Sequence, residues 1–295
     1  MHFSYLWMGI MQASAAGTGA ALRPPGGWVS KEQAEAIRLV DHFRSSEYRQ
    51  LDLDALVDEY VQNFVQPLLA LTGGPRTVAD IGAGYGWLAF AFALGTDAEV
   101  TMLEYDAERA RAAQAIAAIL GIGHRIRSLV GSIAAIPLAD RAIDAVYCVE
   151  VIEHTGVDAC FVAELCRISK DVLVITTPNK VFPIIKHDTV LPFCHWLPPS
   201  LRNRYAGLCG RRHLQHNNLF WSPRRLMNAV TGFERHSRFL QFATHAQFAL
   251  ARRGPGARRG WLDRLQAVYF AAVARTGRLS IFLLPNLAST FRRTP

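Results

Sequence analysis

Apolar residues recur at helical spacing early in the chain, then give way to short apolar runs alternating with amphipathic segments. Ser30 and Gln33 make a capping box ahead of Ala34, Ile37, Val40 and Phe43, so an ordered helix is expected from Ser30. A second helix is expected over 54–71, with Leu56, Tyr60, Phe64 and Leu68 on one face and Thr72-Gly73-Gly74-Pro75 as its stop. From residue 77 strand and helix alternate. Strands are expected at 77–81, 99–103, 125–130, 143–149 and 172–176, and helices at 87–94, 108–120 and 158–168. The runs 143–149 and 172–176 are almost wholly apolar, as strands of a parallel sheet covered by helices on both faces are.

Residues 178–222 break this rhythm. Pro178, Pro183, Pro192, Pro198 and Pro199 punctuate it, with aromatic residues and Arg202, Arg204, Arg211 and Arg212 between and after them. It reads as a long insertion over the ligand face, a lid, because long ordered loops in compact domains usually carry function. Ser222-Pro223 then opens a helix to about 230, and 233–242 reads as a strand. Residues 243–279 read as a basic helical insertion, with a Gly/Arg/Pro loop at 252–260 and an amphipathic helix over 261–274. The run 280–291 reads as the last strand, near an edge or bulged because Pro285 interrupts it. The domain is thus expected over 30–295, with helices at 30–75 in front of the sheet and 1–29 as a loose tail. Residues 3–11 are apolar and Ala13-Ser14-Ala15 resembles a signal-peptidase site, but no Lys or Arg precedes them, so secretion is not expected.

The chemistry concentrates at Val78-Ala79-Asp80-Ile81-Gly82-Ala83-Gly84-Tyr85-Gly86, where a strand runs through three alternate glycines into a helix. Glycines let a backbone approach a ligand, and a helix start offers free N–H groups. Glu104 stands at the end of the next strand, where a carboxylate can accept hydrogen bonds from ribose hydroxyls. The loop is Gly-x-Gly-x-Gly, and Trp87 occupies the place of the third glycine of a dinucleotide fingerprint, which argues against a nicotinamide dehydrogenase. Asp80, an acid just before the loop, suits a cationic ligand.

With Gly131-Ser132-Ile133 and Asp144-Ala145-Val146-Tyr147-Cys148-Val149-Glu150-Val151-Ile152-Glu153-His154, these residues make the chain resemble the class I S-adenosylmethionine-dependent methyltransferases. The resemblance covers 77–242 and, more weakly, 280–292. It implies a Rossmann-like α/β fold: a seven-stranded, mostly parallel sheet with helices on both faces and an antiparallel last strand. It implies S-adenosylmethionine as cofactor, with Asp80, Gly82, Ala83, Gly84 and Gly86 at the methionyl part and Glu104 on the ribose. Ser132 and Ile133 would flank the adenine, and Val149 and Glu150 would end the strand beneath the sulfonium. Ser132 stands where the family often has Asp.

Methyl transfer needs alignment and exclusion of water more than covalent catalysis, and a base only for an alcohol or protonated-amine acceptor. His154, after the fourth strand, and His187, after the fifth, are the candidate bases. Glu150-x-x-Glu153-His154 also has the composition of a divalent-cation site, as in metal-assisted quinone-type O-methyltransferases, but no metal is assigned. His213-x-x-His216 with Cys209 lacks a second matched pair and reads as a surface or lid cluster.

Charge sharpens the question of partner. Residues 1–179 hold 13 basic against 21 acidic residues, a net of −8, whereas 180–295 hold 19 against 3, a net of +16. An anionic partner for the second part is one reading and a solvated Arg-rich face the other. Arg252, Arg253, Arg258 and Arg259 precede a helix with Trp261 at its entry and Leu262, Leu265, Val268 and Tyr269 near one face. That combination suits peripheral contact with an anionic membrane, although the same apolar face could pack on the sheet. The expected acceptor is a small or lipid-linked molecule, methylated on oxygen, in the cytoplasm or at the inner membrane face. Nucleic acid is the alternative partner; no Asn-Pro-Pro-Tyr motif follows the fourth strand to support it. Five cysteines without a Cys-x-x-Cys pair fit a reducing compartment.

Overall fold

The computed structural model describes residues 23–185, 189–211, 220–242 and 261–295. Its centre is a seven-stranded sheet of β1 (Thr77–Ile81), β2 (Glu99–Glu104), β3 (Ile126–Val130), β4 (Ile143–Val149), β5 (Ser169–Thr176), β6 (Phe233–Ser237) and β7 (Ser289–Arg293), in the order β3-β2-β1-β4-β5-β7-β6. Strands β1 to β5 pair in parallel, and β7 is antiparallel to both β5 and β6. The chain order reverses between β1 and β4, so the crevice for a ligand opens at the carboxyl ends of these strands.

Alternation along each strand sends side chains into two apolar layers. Val78, Val100, Met102, Tyr147 and Val174 join one, and Ala79, Ile81, Leu103, Val146 and Ile175 the other. The first layer is filled by α1 (Lys31–Arg38), α2 (Leu53–Tyr60), α3 (Gln66–Thr72), α4 (Trp87–Gly95) and α5 (Ala107–Ile119). Helix α4 is apolar all round, and Trp87 through Ala93 are all buried. It can be so only because the sheet lies on one side and the N-terminal helices on the other. The second layer packs against α6 (Ile152–Thr155), α7 (Ala159–Ile168) and α9 (Pro223–Ala229).

Several elements differ from the expected ones. The helix expected over 54–71 is α2 and α3 joined through a π turn, Val61–Val65, whose Phe64 carbonyl receives the Tyr147 hydroxyl at 3.3 Å. Order begins ahead of the capping box. Trp28 and Val29 are buried, the Trp28 indole donates to Asp58 at 2.9 Å, and Arg23 pairs with Asp54 and Asp58. The acidic residues of α2 draw this segment in, so 23–29 pack on the domain; residues 1–22 lie outside the described residues. The strand expected over 233–242 stops at Ser237 after a register shift and continues only as isolated bridges at Phe239 and Leu240. In the run 280–291, Ser280–Leu283 is a short helix (α11) and the strand starts only at Ser289. Pro285 cannot donate to a ladder, and the buried Asn179 amide holds the Ile281 and Leu284 carbonyls at 2.8 and 2.7 Å, fixing the helical turn.

Residues 180–221 leave the sheet and return to the same place. Asn179 bridges Trp221, and the Lys180 amide donates to the Trp221 carbonyl at 2.9 Å. The excursion carries a 3-10 turn, Cys194–Trp196, and helix α8 (Pro199–Leu208). The helix expected at 261–274 is present as α10 (Trp261–Arg275). Its Phe270 and Val273 pack against Phe239 and Leu284, whereas Leu265, Val268 and Tyr269 are exposed, Val268 by 68%. The Tyr269 hydroxyl donates to the Leu283 carbonyl, which sets these residues beside exposed Leu279 and Phe282. Arg252, Arg253, Arg258 and Arg259 lie outside the described residues, as do the side chains of Trp261 and Leu262. No described helix is long and apolar enough to cross a membrane.

Candidate active site

The loop after β1 turns through Gly82, Gly84 and Gly86, with φ of +80°, +59° and +87°. These left-handed values favour glycine, and at two positions space does too. A Cβ on Gly82 would stand 2.4 Å from a Val151 methyl, and one on Gly86 would stand 2.8 Å from Met102 Sδ. Gly86 is buried, so it serves close packing of α4 on β2 and does not line the crevice. Gly84 is different: a Cβ there would meet only Arg109 Cδ, at 3.9 Å, which leaves the backbone open to a ligand.

Strand β2 pins the loop. The Gly82 and Ala83 amides both donate to the Leu103 carbonyl, at 2.7 and 3.0 Å, and the Gly84 amide donates to Glu104 Oε2 at 2.7 Å. Glu104 Oε1 accepts from the Asp106 amide at 3.0 Å. Each carboxylate oxygen thus holds one backbone N–H and keeps a lone pair for a further donor, such as a ribose hydroxyl.

Asp80 is buried, and its Oδ2 has no hydrogen-bond partner. Burial pushes its carboxyl up to about 7. A backbone hydrogen bond from Ala89 works against the rise, and the Glu104 charge adds to it. An acid in that state demands a cation, as the ammonium and sulfonium groups of S-adenosylmethionine would supply. The orphaned Asp80 oxygen, the open backbone at Gly84 and the spare acceptors of Glu104 all fit this cofactor.

Ser132 and Ile133 follow β3 in a turn whose Gly131 amide donates to the Glu104 carbonyl at 3.0 Å. Ile133 is buried, and Ser132 Oγ accepts from the Ala134 amide at 3.1 Å. Val149 ends β4 half-buried, and Glu150 follows with φ +55°, a conformation that non-glycine residues rarely adopt. Its amide donates to the Thr176 carbonyl at 2.9 Å, while Thr176 Oγ1 and Asn286 Nδ2 donate to its Oε1 at 3.0 and 3.2 Å. The turned backbone thereby lays the Glu150 carboxylate across β5 toward the start of β7.

Glu153 lies wholly inside, accepting from Thr177 Oγ1 at 2.8 Å. Burial, and next the Glu150 charge, push its carboxyl well above the usual range. His154, on the same short helix, is exposed. Glu150 and Glu153 are thus neighbours while His154 faces outward, and among the described residues no group of three His, Cys, Asp or Glu side chains is arranged to hold a metal ion. His187, His213 and His216 lie outside the described residues; Cys209 is exposed. Burial pushes the Cys148 thiol up, which leaves it an inert core group beneath the acids.

The structure brings further residues to this cleft. Tyr60 of α2, stacked on Phe64 at 5.6 Å, feels the charges of Asp80 and Glu150, and burial raises its phenol well above its ordinary value. The Tyr85 hydroxyl lies 2.9 Å from His42 Nδ1, and its ring packs edge-on against Phe43 and under the Arg109 guanidinium. The 41–50 segment is thereby clamped over the glycine loop. Tyr85 could have been singled out from its place between two glycines. Nothing local in the sequence marks Tyr60 or Asn286, since the fold alone brings them near Glu150.

Residues 78–171 match a family model described as a methyltransferase domain. Similar solved structures include a geranyl diphosphate methyltransferase, 15% identical over 95% of this chain and 87% of that chain, with a TM-score of 0.49. A geranyl diphosphate C-methyltransferase from Streptomyces coelicolor is 14% identical over 86% and 88%, with a TM-score of 0.46. Magnesium protoporphyrin IX methyltransferase from Synechocystis is 14% identical over 69% and 84%, with a TM-score of 0.44. Residues 78–171 thus carry a methyltransferase domain, and the strand order with its antiparallel β7 and the glycine loop locked to Glu104 have the form expected of the class I S-adenosylmethionine-dependent enzymes.

Proposed function

We propose that the protein methylates an oxygen of a small-molecule or lipid-linked acceptor held at the carboxyl ends of β4 and β5. The observation that carries the reading is the Asp80–Gly84–Glu104 constellation, which combines an anion for a cationic ligand, an open backbone and spare acceptors for a diol. When bound, S-adenosylmethionine supplies an electrophilic methyl group on a sulfonium that leaves readily. Glu104 holds the ribose and ionised Asp80 faces the cationic end. Ser132 and Ile133 flank the adenine, and Val149 and Glu150 floor the reacting centre. Tyr60 and the 41–50 segment keep water out, which favours alignment over hydrolysis. An imidazole, His154 or His187, would take the proton of the acceptor hydroxyl as its oxygen accepts the methyl group that the cofactor would supply. The test is methyl transfer from labelled cofactor into lipid, glycan, small-molecule and RNA fractions of a host extract. The reading expects the label in a lipid or small-molecule fraction, on oxygen; label in RNA would overturn it. In the fraction that takes label, the double variant His154→Gln/His187→Gln should lower the rate of transfer.

A second reading concerns location. Exposed Leu265 and Val268 on α10, Leu279 in the turn after it and Phe282 on α11, within a segment of net +16, favour peripheral docking on an anionic bilayer. Each basic residue near such a surface contributes about 1 kcal/mol. Sedimentation with phosphatidylserine vesicles should fall steeply with salt and with Val268→Asp/Phe282→Asp. Indifference to anionic vesicles at low salt rejects the reading.

A further inference from the structure

A recess of about 530 Å³ lies where the 180–221 excursion returns to the sheet. That size suits a small ligand and not a macromolecule. Val157, Val181, Trp196 and Phe220 give it apolar walls, and Lys180 and Arg225 bring cationic ends to the same wall. No carboxylate among the described residues lines it. Among the described residues neither Lys180 nor Arg225 is in an ion pair; Arg225 lies over the Trp221 ring, 5.8 Å from its centroid. Asp158 feels the Arg225 charge, and its Oδ1 accepts from the Cys160 amide at 3.0 Å.

The recess is built, not a chance gap. The Lys180 carbonyl accepts from both His195 Nε2 at 2.9 Å and Trp196 Nε1 at 2.7 Å, which fixes the indole at the rim. His195 is buried and packs edge-on against Phe220. On the other side, the Trp221 indole donates to the Ile152 and Gly156 carbonyls at 3.2 and 3.1 Å, tying the floor to the helix that follows Glu150. The recess therefore hangs from the two strand ends, β4 and β5, that bound the crevice.

We infer that this recess takes the anionic end of an amphiphilic acceptor: a phosphate or carboxylate between Lys180 and Arg225, with an apolar body along Trp196, Phe220 and Val181. The inference rests on the methyl-transfer reading for the word acceptor, and on the recess alone for the ligand chemistry. Two cations without acids select a negative group, and the aromatic and aliphatic walls add the burial of a hydrocarbon body. Inorganic phosphate lacks the body and a neutral detergent lacks the charge, so each should bind far more weakly than a molecule with both.

The probes are decyl phosphate and decanoate below their micelle concentrations, decyl maltoside and inorganic phosphate, and vesicles of phosphatidic acid. Binding is read by calorimetry and by the emission of Trp196, identified by its loss in Trp196→Phe. Decyl phosphate should bind at least about tenfold tighter than decyl maltoside or inorganic phosphate, and Lys180→Gln/Arg225→Gln should weaken it about tenfold or more. Both residues are exposed and hydrogen-bond to the fold around them through backbone atoms, Arg225 adding only its contact with the Trp221 ring, so the double variant should keep its melting temperature and its S-adenosylmethionine affinity. Decyl maltoside binding as well as decyl phosphate, an unaffected double variant, or binding to vesicles only would overturn the inference. Failure of wild-type protein to bind S-adenosylmethionine would overturn the methyl-transfer reading, whatever the alkyl anions do.

Discussion

Gly84 and Glu104 meet across the crevice: the Gly84 amide donates to Glu104 Oε2 at 2.7 Å. The carboxylate that would take the ribose is thus the same group that sets the curve of the glycine loop. Cofactor and loop share one anchor, so the loop's shape and the ribose site cannot be altered independently through this residue.

The three glycines should not behave alike. Gly82→Ala puts a methyl 2.4 Å from Val151 Cγ2 at φ +80° and should lower stability by about 1–3 kcal/mol. Gly84→Ala meets no such obstacle and should cost about 1–2 kcal/mol of backbone strain, while weakening cofactor binding more than it weakens the fold. Urea titration checks the order, and Val151→Ala should restore part of the stability lost in Gly82→Ala but none of that lost in Gly84→Ala.

Cofactor affinity should rise with pH up to about 7. The Asp80 carboxyl, lifted from an ordinary value of 3.8 to about 7, is neutral below that pH and anionic above it, and only the anion attracts a sulfonium. The sign for the ligand-free fold is opposite. A raised acid favours the fold fully below its unfolded value, and this contribution fades as pH rises through about 7. Calorimetry of S-adenosylmethionine binding between pH 5.5 and 8.5, about the window set by that shift, checks the first statement. Asp80→Asn should flatten the profile.

Buried Glu153 should tolerate an amide better than a deletion. Glu153→Gln keeps an acceptor for the Thr177 hydroxyl and removes an acid whose ionisation burial disfavours. Glu153→Ala leaves Thr177 unpaired beside a void and should cost about 2–4 kcal/mol. Because the carboxyl is raised, its contribution to stability is lost as pH rises. Thermal melts at pH 6 and pH 9 should therefore differ less in Glu153→Gln than in wild type.

Asn179 should prove to be a structural pin for the chain's end. Its amide holds two carbonyls of the α11 turn from more than a hundred residues away in sequence. Asn179→Ala should destabilise by about 2–4 kcal/mol and expose 280–287 to hydrogen exchange before the sheet opens.

The alternation of strands and helices was legible because β1, β4 and β5 lie in the doubly covered middle of the sheet, where most positions are apolar. The glycine loop and Glu104 were legible because their spacing is fixed by one βαβ unit. What the sequence hid were meetings of distant residues. Glu150 is held by Asn286, and Glu153 by Thr177, through the pairing of β4, β5 and β7. The apparent strand at 280–291 misled because Ile281, Phe282 and Leu283 are as apolar in a helical turn as in a strand, and only Asn179 decides between them. Trp28 and Val29 were read as tail because their partner, Asp54, lies on another helix.

The most direct test is calorimetric titration of S-adenosylmethionine into wild-type protein and into Glu104→Gln. Loss of the charge from a group accepting hydrogen bonds costs about 1.5–3 kcal/mol. Wild type should bind one equivalent, and Glu104→Gln should bind about 10- to 100-fold more weakly while retaining its fold by circular dichroism. Equal affinity in the two proteins, or no binding by wild type, would contradict the assignment of this cleft.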